Sequence, residues 1–492
     1  MKFEFTFAKG PGINPPTPET PFRILVLGDL DGRTSRNLTQ PLADRRPVPV
    51  DLDAFEPFLK SLRAEVQLGF SDPATAPIRL AAGGLEDLHP DRLFEQMDLF
   101  AALRGLRRRL LEPATFAAAA AEVRAWGGAG TPPPSGAAPT PVPPARESNA
   151  GTLERLLGQA PAPAPASVNL AGGLIQQAVA PYIVAAPAGD QPALVAAVDA
   201  AAADLMRRVL HDPAFQSLEA AWRGLDFLVR RLDLNESLTV SLLNLSRTEL
   251  LAGVMGEDGG QSDLFRILVA DAVQSPGAEP WALVLGLYDF EPSPADRELL
   301  ARLAKLARAA GAPFVAAAGA KLWQTVLQNP DQFAADQAWT GLRTSPEAAW
   351  LGLTGPRFLL RLPYGQATEP IETFALEEFT GAAGAGDYLW GPPALAFGVL
   401  LGQRFAESGW ELSPGGNWEL GGLPVHSWRE GTETRMTPCA ESWLKDAAAE
   451  RLREHGLMPF QSIQGRDAIR LTGAPSLHQP PRELAGRWNL EQ

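Results

Sequence analysis

The sequence predicts an α/β protein, and three observations carry that expectation. Short apolar runs such as the one at 22–28 read as buried strands. Between them lie longer stretches whose leucines recur at spacings of three and four, the period of an amphipathic helix. Glycine and proline, 46 of each in the chain, exceed ordinary usage modestly, and with alanine and threonine they dominate one stretch between two such regions. The expectation is two α/β domains with mixed sheets, residues 1–126 and 169–492, joined by a Pro/Gly/Ala-rich linker at 127–168. A length of 492 residues fits two or more domains at roughly 150 residues each.

Phe22–Gly28 is the first predicted strand, opened by Pro21 and closed by Gly28 and the turn residues Asp29, Asp31 and Gly32. Residues 35–50 carry charges and prolines and read as a loop or sheet edge, and a second strand is predicted from Pro73 to Leu80. Pro90 to Trp126 reads as helix, with Leu93, Met97, Phe100, Leu103, Leu106 and Leu110 on one face and Pro113 as an interruption. Residues 127–149 and 159–167 cannot bury enough apolar area to offset ordering, so they read as a semi-extended tether, with one short helix at 152–158 between its halves.

Beyond the tether, helices are predicted at 192–210 and from Phe215 to Leu232, separated by His211-Asp212-Pro213. Leu238–Leu245, Leu264–Val269, Trp281–Leu287 and Pro313–Ala317 read as strands, with a helix at Pro294–Ala310. This order of helices and strands implies partly parallel pairing. No fixed-period repeat marks a solenoid or propeller.

Composition narrows the function. With 45% hydrophobic and 20% charged residues the chain is an ordinary globular protein. A net charge of −14 repels phosphate backbones, so nucleic acid is not an expected partner. Arg104, Arg107, Arg108 and Arg109 form the densest basic cluster and read as the solvated face of a helix. Cys439 stands alone, which excludes a disulfide framework within the chain. The start of the chain lacks a signal-peptide pattern, no window supplies the roughly 18 apolar residues of a spanning helix, and the expected location is the cytoplasm.

No motif assembles an active site. His89, His211, His426, His455 and His478 are far apart and read as surface or helix-end residues, without metal-ligand spacing. Neither a nucleophile elbow nor a phosphate-binding loop is present. Gly381, Gly384 and Gly386 read as a loop, and adjacent Glu377 and Glu378 point apart, so they would not share a substrate. No catalytic residue, cofactor or metal is expected. An enzymatic alternative, a carbohydrate-active site, needs Glu377 or Glu378 to meet Glu407 or Glu411 across a Trp-rich cleft. The twelve tryptophans, among them Trp222, Trp390, Trp410 and Trp428, suit cores and protein interfaces.

Residues 209–229 resemble a signature of the large subunit of the type VI secretion contractile sheath, through His211-Asp212-Pro213, Phe215-Gln216, Leu218-Glu219 and Trp222-Arg223-Gly224-Leu225. Gly355 to Gly365, Phe374 to Phe379, Tyr388 to Ala394, and Leu452 to Phe460 with Ser476 to Pro480 resemble further segments of that family in the same order. Pro21 to Leu30 and the helix from Asp91 to Leu111 are similar to the small sheath subunit.

The resemblance implies a fusion of both sheath subunits in one chain, a non-enzymatic structural component that forms or docks onto the contractile sheath. It marks Phe215, Gln216, Leu218, Glu219, Trp222, Arg223, Gly224, Arg357, Arg361, Leu362, Pro363, Tyr364, Gly365, Tyr388, Leu389, Trp390 and Gly391 as core or interface positions. It implies other sheath subunits or further copies of the chain as partners, together with inner-tube or baseplate proteins. The family's large subunit continues past its last resembling segment into strands exchanged between protomers. Here the sequence ends at Gln492, so the expectation is a chain truncated at that end, which admits an accessory that caps or regulates assembly.

Overall fold

A computed structural model describes residues 15–69, 78–127, 182, 191–255, 262–380, 385–430 and 432–489. Fifteen strands are found among them: β1 Phe22–Gly28, β2 Val48–Val50, β3 Ala64–Leu68, β4 Ile78–Ala82, β5 Leu238–Asn244, β6 Leu283–Phe290, β7 Phe314–Ala318, β8 Leu351–Gly355, β9 Phe358–Leu359, β10 Trp390–Gly391, β11 Asn417–Leu420, β12 Ser427–Glu430, β13 Glu433–Met436, β14 Leu457–Ser462 and β15 Ile469–Thr472. Nine build one sheet in the order β11-β15-β14-β8-β7-β6-β1-β5-β2. The six from β14 to β5 run parallel, and antiparallel strands flank them at both ends.

The α/β class is as expected, and β1 and β2 of the first predicted segment share this sheet with seven strands of the second, while β3 and β4 pair apart from it. β1, from the N-terminal segment, lies between β5 and β6 of the C-terminal segment, with Phe22 opposite Leu238 and Ile24 opposite Leu283. Its sequence demands such a place. Successive side chains point to opposite faces, and both sets are apolar, so neither face tolerates water. Phe22, Ile24 and Val26 enter one core, Leu25 and Leu27 the other, and all five are fully buried.

The first core is closed by the helices Pro213–Arg231 and Pro393–Ser408, through Trp222, Leu225, Leu228, Phe397 and Leu401. The second is closed by Pro294–Ala310, through Leu299, Leu300 and Leu303. That helix has the predicted limits because its ends are marked. Ser293 caps its first turn by accepting from the Asp296 amide at 3.1 Å, Pro294 opens it, and Gly311 at φ +65° closes it. The segment between them forms the βαβ crossover joining parallel neighbours β6 and β7.

Several expectations change. Leu264–Val269 is not a strand: it lies in a helical turn Asp263–Phe265 that continues as a π-helix, Arg266–Gln274. A short apolar run buried on all sides has no readable period, and the Ser262 hydroxyl, accepting from the Phe265 amide at 3.2 Å, starts a helix. The helix expected from Pro90 to Trp126 is three, Pro90–Gln96, Asp98–Leu111 and Phe116–Gly127, because Met97 is extended as well as the Pro113 region. The second strand begins at Ile78, and the earlier part of its predicted range lies outside the described residues. So do the tether from residue 128 to 168, its 152–158 helix, Gly381 and Gly384. β2 is a sheet edge, one of the two forms expected of that region.

Candidate functional site

Asp212 sets up the first marked segment. Its carboxylate accepts from the Ala214 and Phe215 amides at 2.9 and 3.4 Å, capping the helix Pro213–Arg231, and from the Gly69 amide at 2.9 Å. Phe215, Leu218 and Trp222 then face the core at helical spacing. Trp222 is fully buried and its indole N–H donates to the Leu30 carbonyl, 2.8 Å away, just past β1. Gln216 is half-buried at the rim of a cleft of about 480 Å³ that Asp29, Arg247, Arg357, Tyr388, Leu389 and Trp390 also line. Gly224 lets the Pro393–Ser408 helix close in: a Cβ there would meet Leu395 at 2.6 Å.

Glu219 and Arg223 join Arg361 and Tyr364 in a buried ionic cluster. Glu219 has no solvent exposure. It accepts from Arg223 Nε at 2.7 Å and Arg361 Nε at 2.9 Å. The Arg361 guanidinium reaches on to Glu378 at 2.8 and 3.2 Å and lies 4.4 Å over the Tyr364 ring. Glu378 also accepts from the Tyr364 amide at 2.7 Å, and Arg223 donates to the Tyr364 hydroxyl at 3.1 Å. Two carboxylates and two guanidiniums thus neutralise one another out of water, each with several hydrogen bonds.

The titration of these groups follows from the geometry. Burial raises the Glu378 pKa, but Arg361 and the Tyr364 amide overcome it and hold the carboxyl at about 2. Burial pushes the Tyr364 phenol up to about 12 despite its two arginine neighbours. Leu362 is half-buried, Pro363 is buried, and Gly365 leaves room for Glu377, whose carboxylate would lie 2.5 Å from a Cβ there.

Arg357 makes a bidentate pair with Glu441 at 2.5 and 2.8 Å. Tyr388 and Trp390 are buried with Leu359, Leu389 is buried as well, and Gly391 pairs with Phe358 across the β9–β10 ladder. The Tyr388 hydroxyl meets His426 Nδ1 at 2.7 Å and accepts from Thr437 at 2.9 Å.

The marked residues therefore fall in three places: the helix–core contact, the ionic cluster and the cleft rim. Other contacts between the two segments carry no local sequence signal. Glu249 receives Arg45 through both carboxylate oxygens at 2.8 and 2.9 Å and Arg33 at 2.9 Å. Burial would raise its pKa, yet Arg45, the Ser246 and Gln40 amides and Arg33 lower it to about 2. Asp91 accepts from the Glu372 and Thr373 amides and the Thr373 hydroxyl at 2.7–3.1 Å. Arg107, read as solvated, pairs with Asp199 at 2.7 Å, whereas Arg104 is held within its own segment by donating to the Phe94 and Met97 carbonyls. Each cross-segment pair joins groups between 92 and 282 positions apart, which no spacing rule reports.

The histidines differ in part from expectation. His478 is buried, with Nδ1 2.8 Å from the Pro480 carbonyl, and His426 packs between Tyr388 and Trp428. Glu378 is engaged by Arg361, and Glu407 by Arg404 at 3.1 Å on its own helix. Among the described residues there is no cluster of metal-ligating side chains, and no helix is long and apolar enough to cross a membrane.

The features that stand out in this arrangement are packing and ion pairing in an α/β protein whose central sheet is built from two sequence segments. A family model described as EvpB/VC_A0108, tail sheath N-terminal domain, matches residues 192–478, and the chain belongs to that VipB tail-sheath family. A second model, described as type VI secretion system, VipA, VC_A0107 or Hcp2, matches residues 8–124 of the same chain. The chain is 36% identical over 308 residues to the type VI secretion system sheath protein TssC1 of Pseudomonas aeruginosa. That stretch spans 58% of this chain and 61% of the relative.

Proposed function

We infer that the chain is a non-enzymatic structural component of a type VI secretion apparatus, a small and a large sheath-like subunit in one polypeptide that forms or docks onto the contractile sheath around an inner tube. The observation that carries this reading is the position of β1. The segment matching the VipA model supplies a strand to the interior of a sheet built by the segment matching the VipB model. A strand buried on both faces and hydrogen-bonded along both edges is a permanent association, as an obligate subunit pair requires. Joining the halves fixes their ratio at one to one and raises their effective concentration.

The partners in this reading are further copies of the chain or other sheath subunits, with inner-tube or baseplate proteins alongside, and the location is the cytoplasm. The marked residues act as core and interface positions, and no bond chemistry is required of them. Work comes from alternative packings between protomers. Negative-stain microscopy of the purified chain, alone and with sheath subunits from the same apparatus, tests this. Tubes or rings containing the chain are expected. Binding confined to the ends of tubes made by other subunits would replace the protomer role with capping, and no association with either would refute the reading.

A further inference from the structure

A small pocket of about 170 Å³ opens beside the ionic cluster, lined by Tyr364, Thr368, Glu377, Phe379, His426 and Trp428. Its volume suits one side chain, far below the roughly 300 Å³ at which small-molecule sites begin. Four of its walls are rings, and three of them, Phe379, His426 and Trp428, form a connected set. Phe379 lies 6.1 Å from His426, which stacks on Trp428 at 5.5 Å with planes 29° apart. Burial pushes the His426 pKa down, against Glu378, so the imidazole adds no competing positive charge to the ring wall.

The electrostatics favour a cation. Ring faces carry negative quadrupole charge, and one of these rings, Tyr364, already receives the Arg361 guanidinium at 4.4 Å. Behind the pocket, Glu219 and Glu378 offset Arg223 and Arg361. Glu377 adds a further carboxylate at the rim, exposed and without a basic partner among the described residues. The nearby Arg207 donates to the Glu377 backbone carbonyl at 2.9 Å, and its own charge is paired with Asp204.

The free acceptor selects between cations. Glu377 Oε1 is taken by the Gln366 amide at 3.0 Å, which leaves Oε2, held over Gly365 where a Cβ would lie 2.5 Å away. One open oxygen matches the point charge of an ammonium better than the two-pronged guanidinium. We propose that this pocket binds a lysine side chain presented by a partner protein, with Glu377 as counter-ion and Tyr364, Phe379, His426 and Trp428 as the cation–π wall.

The test uses the isolated full chain, whatever assembly it joins, and ligand-observed saturation-transfer NMR. The probes are N-acetyl-lysine methylamide and N-acetyl-arginine methylamide at equal ionic strength. Transfer to the lysine compound is expected to exceed that to the arginine compound, and to fall at least about fivefold in Glu377→Gln. Gly365→Ala, which displaces the carboxylate without removing it, is expected to weaken transfer as well, with circular dichroism showing both variants folded. Absence of transfer in the parent chain, equal or stronger transfer to the arginine compound, or transfer unchanged in Glu377→Gln would each overturn the proposal.

Discussion

Trp222 ties the two segments together through one side chain: its ring fills the core and its N–H satisfies Leu30 beyond β1. Trp222→Ala is expected to cost about 3–5 kcal/mol, as removal of a buried indole does. Trp222→Phe keeps much of the volume but orphans the Leu30 carbonyl, for about 1–3 kcal/mol. Urea denaturation monitored by circular dichroism measures both. Arg361→Met strands Glu378 in the interior and leaves Glu219 with Arg223 alone, so its expected cost is also about 3–5 kcal/mol, and a loss of under about 1 kcal/mol would show that water reaches the cluster.

Acid tests the same cluster. The Glu378 and Glu249 carboxyls are held at about 2, below their ordinary 4.5, so each contributes stability that is complete above about 4.5 and lost as pH falls towards about 2. Chemical denaturation between about pH 5 and about pH 3 is expected to show a steep loss, shallower in Glu249→Gln. At this scale the apolar half was legible. Phe215, Leu218 and Trp222 follow helical spacing, whereas Glu219 and Arg223 look like any solvated i,i+4 pair until Arg361, 142 positions away, arrives.

Elements with marked ends could be read from sequence, and those without could not. Pro294–Ala310 has a serine cap, an opening proline and a closing glycine, while the apolar run at Leu264–Val269 reads equally as strand or buried helix. Gly456 is another such punctuation mark. It adopts φ +78° directly before β14, and a Cβ there would meet the Ser476 carbonyl oxygen at 2.7 Å and Leu477 Cα at 3.1 Å. Both the left-handed backbone and the rigid neighbours disfavour any other residue. Gly456→Ala is expected to destabilise the chain by about 1–3 kcal/mol, and a neutral effect in thermal melts would mean that the β14 approach relaxes freely.

The whole molecule has an organisation that the order of elements along the chain does not disclose. The strand character of Phe22–Gly28 is local and was legible. Its insertion between β5 and β6 depends on partners more than 200 residues distant, and the Pro-rich stretch between the segments suggests separation where the structure has continuity. Asp91 on residues 372–373, Arg107 on Asp199 and Asp212 on Gly69 reinforce that continuity at the periphery. Removing β1 would leave β5 and β6 with unpaired inner edges and both cores open, so neither segment is expected to keep its fold alone.

The most direct measurement places a protease site near residue 140, cuts the purified chain and passes it over a sizing column without denaturant. The two fragments are expected to elute together at the volume of the intact chain and to separate only when unfolded. Separation under native conditions would contradict the shared sheet, and with it the reading of this chain as two sheath-like subunits built into one unit.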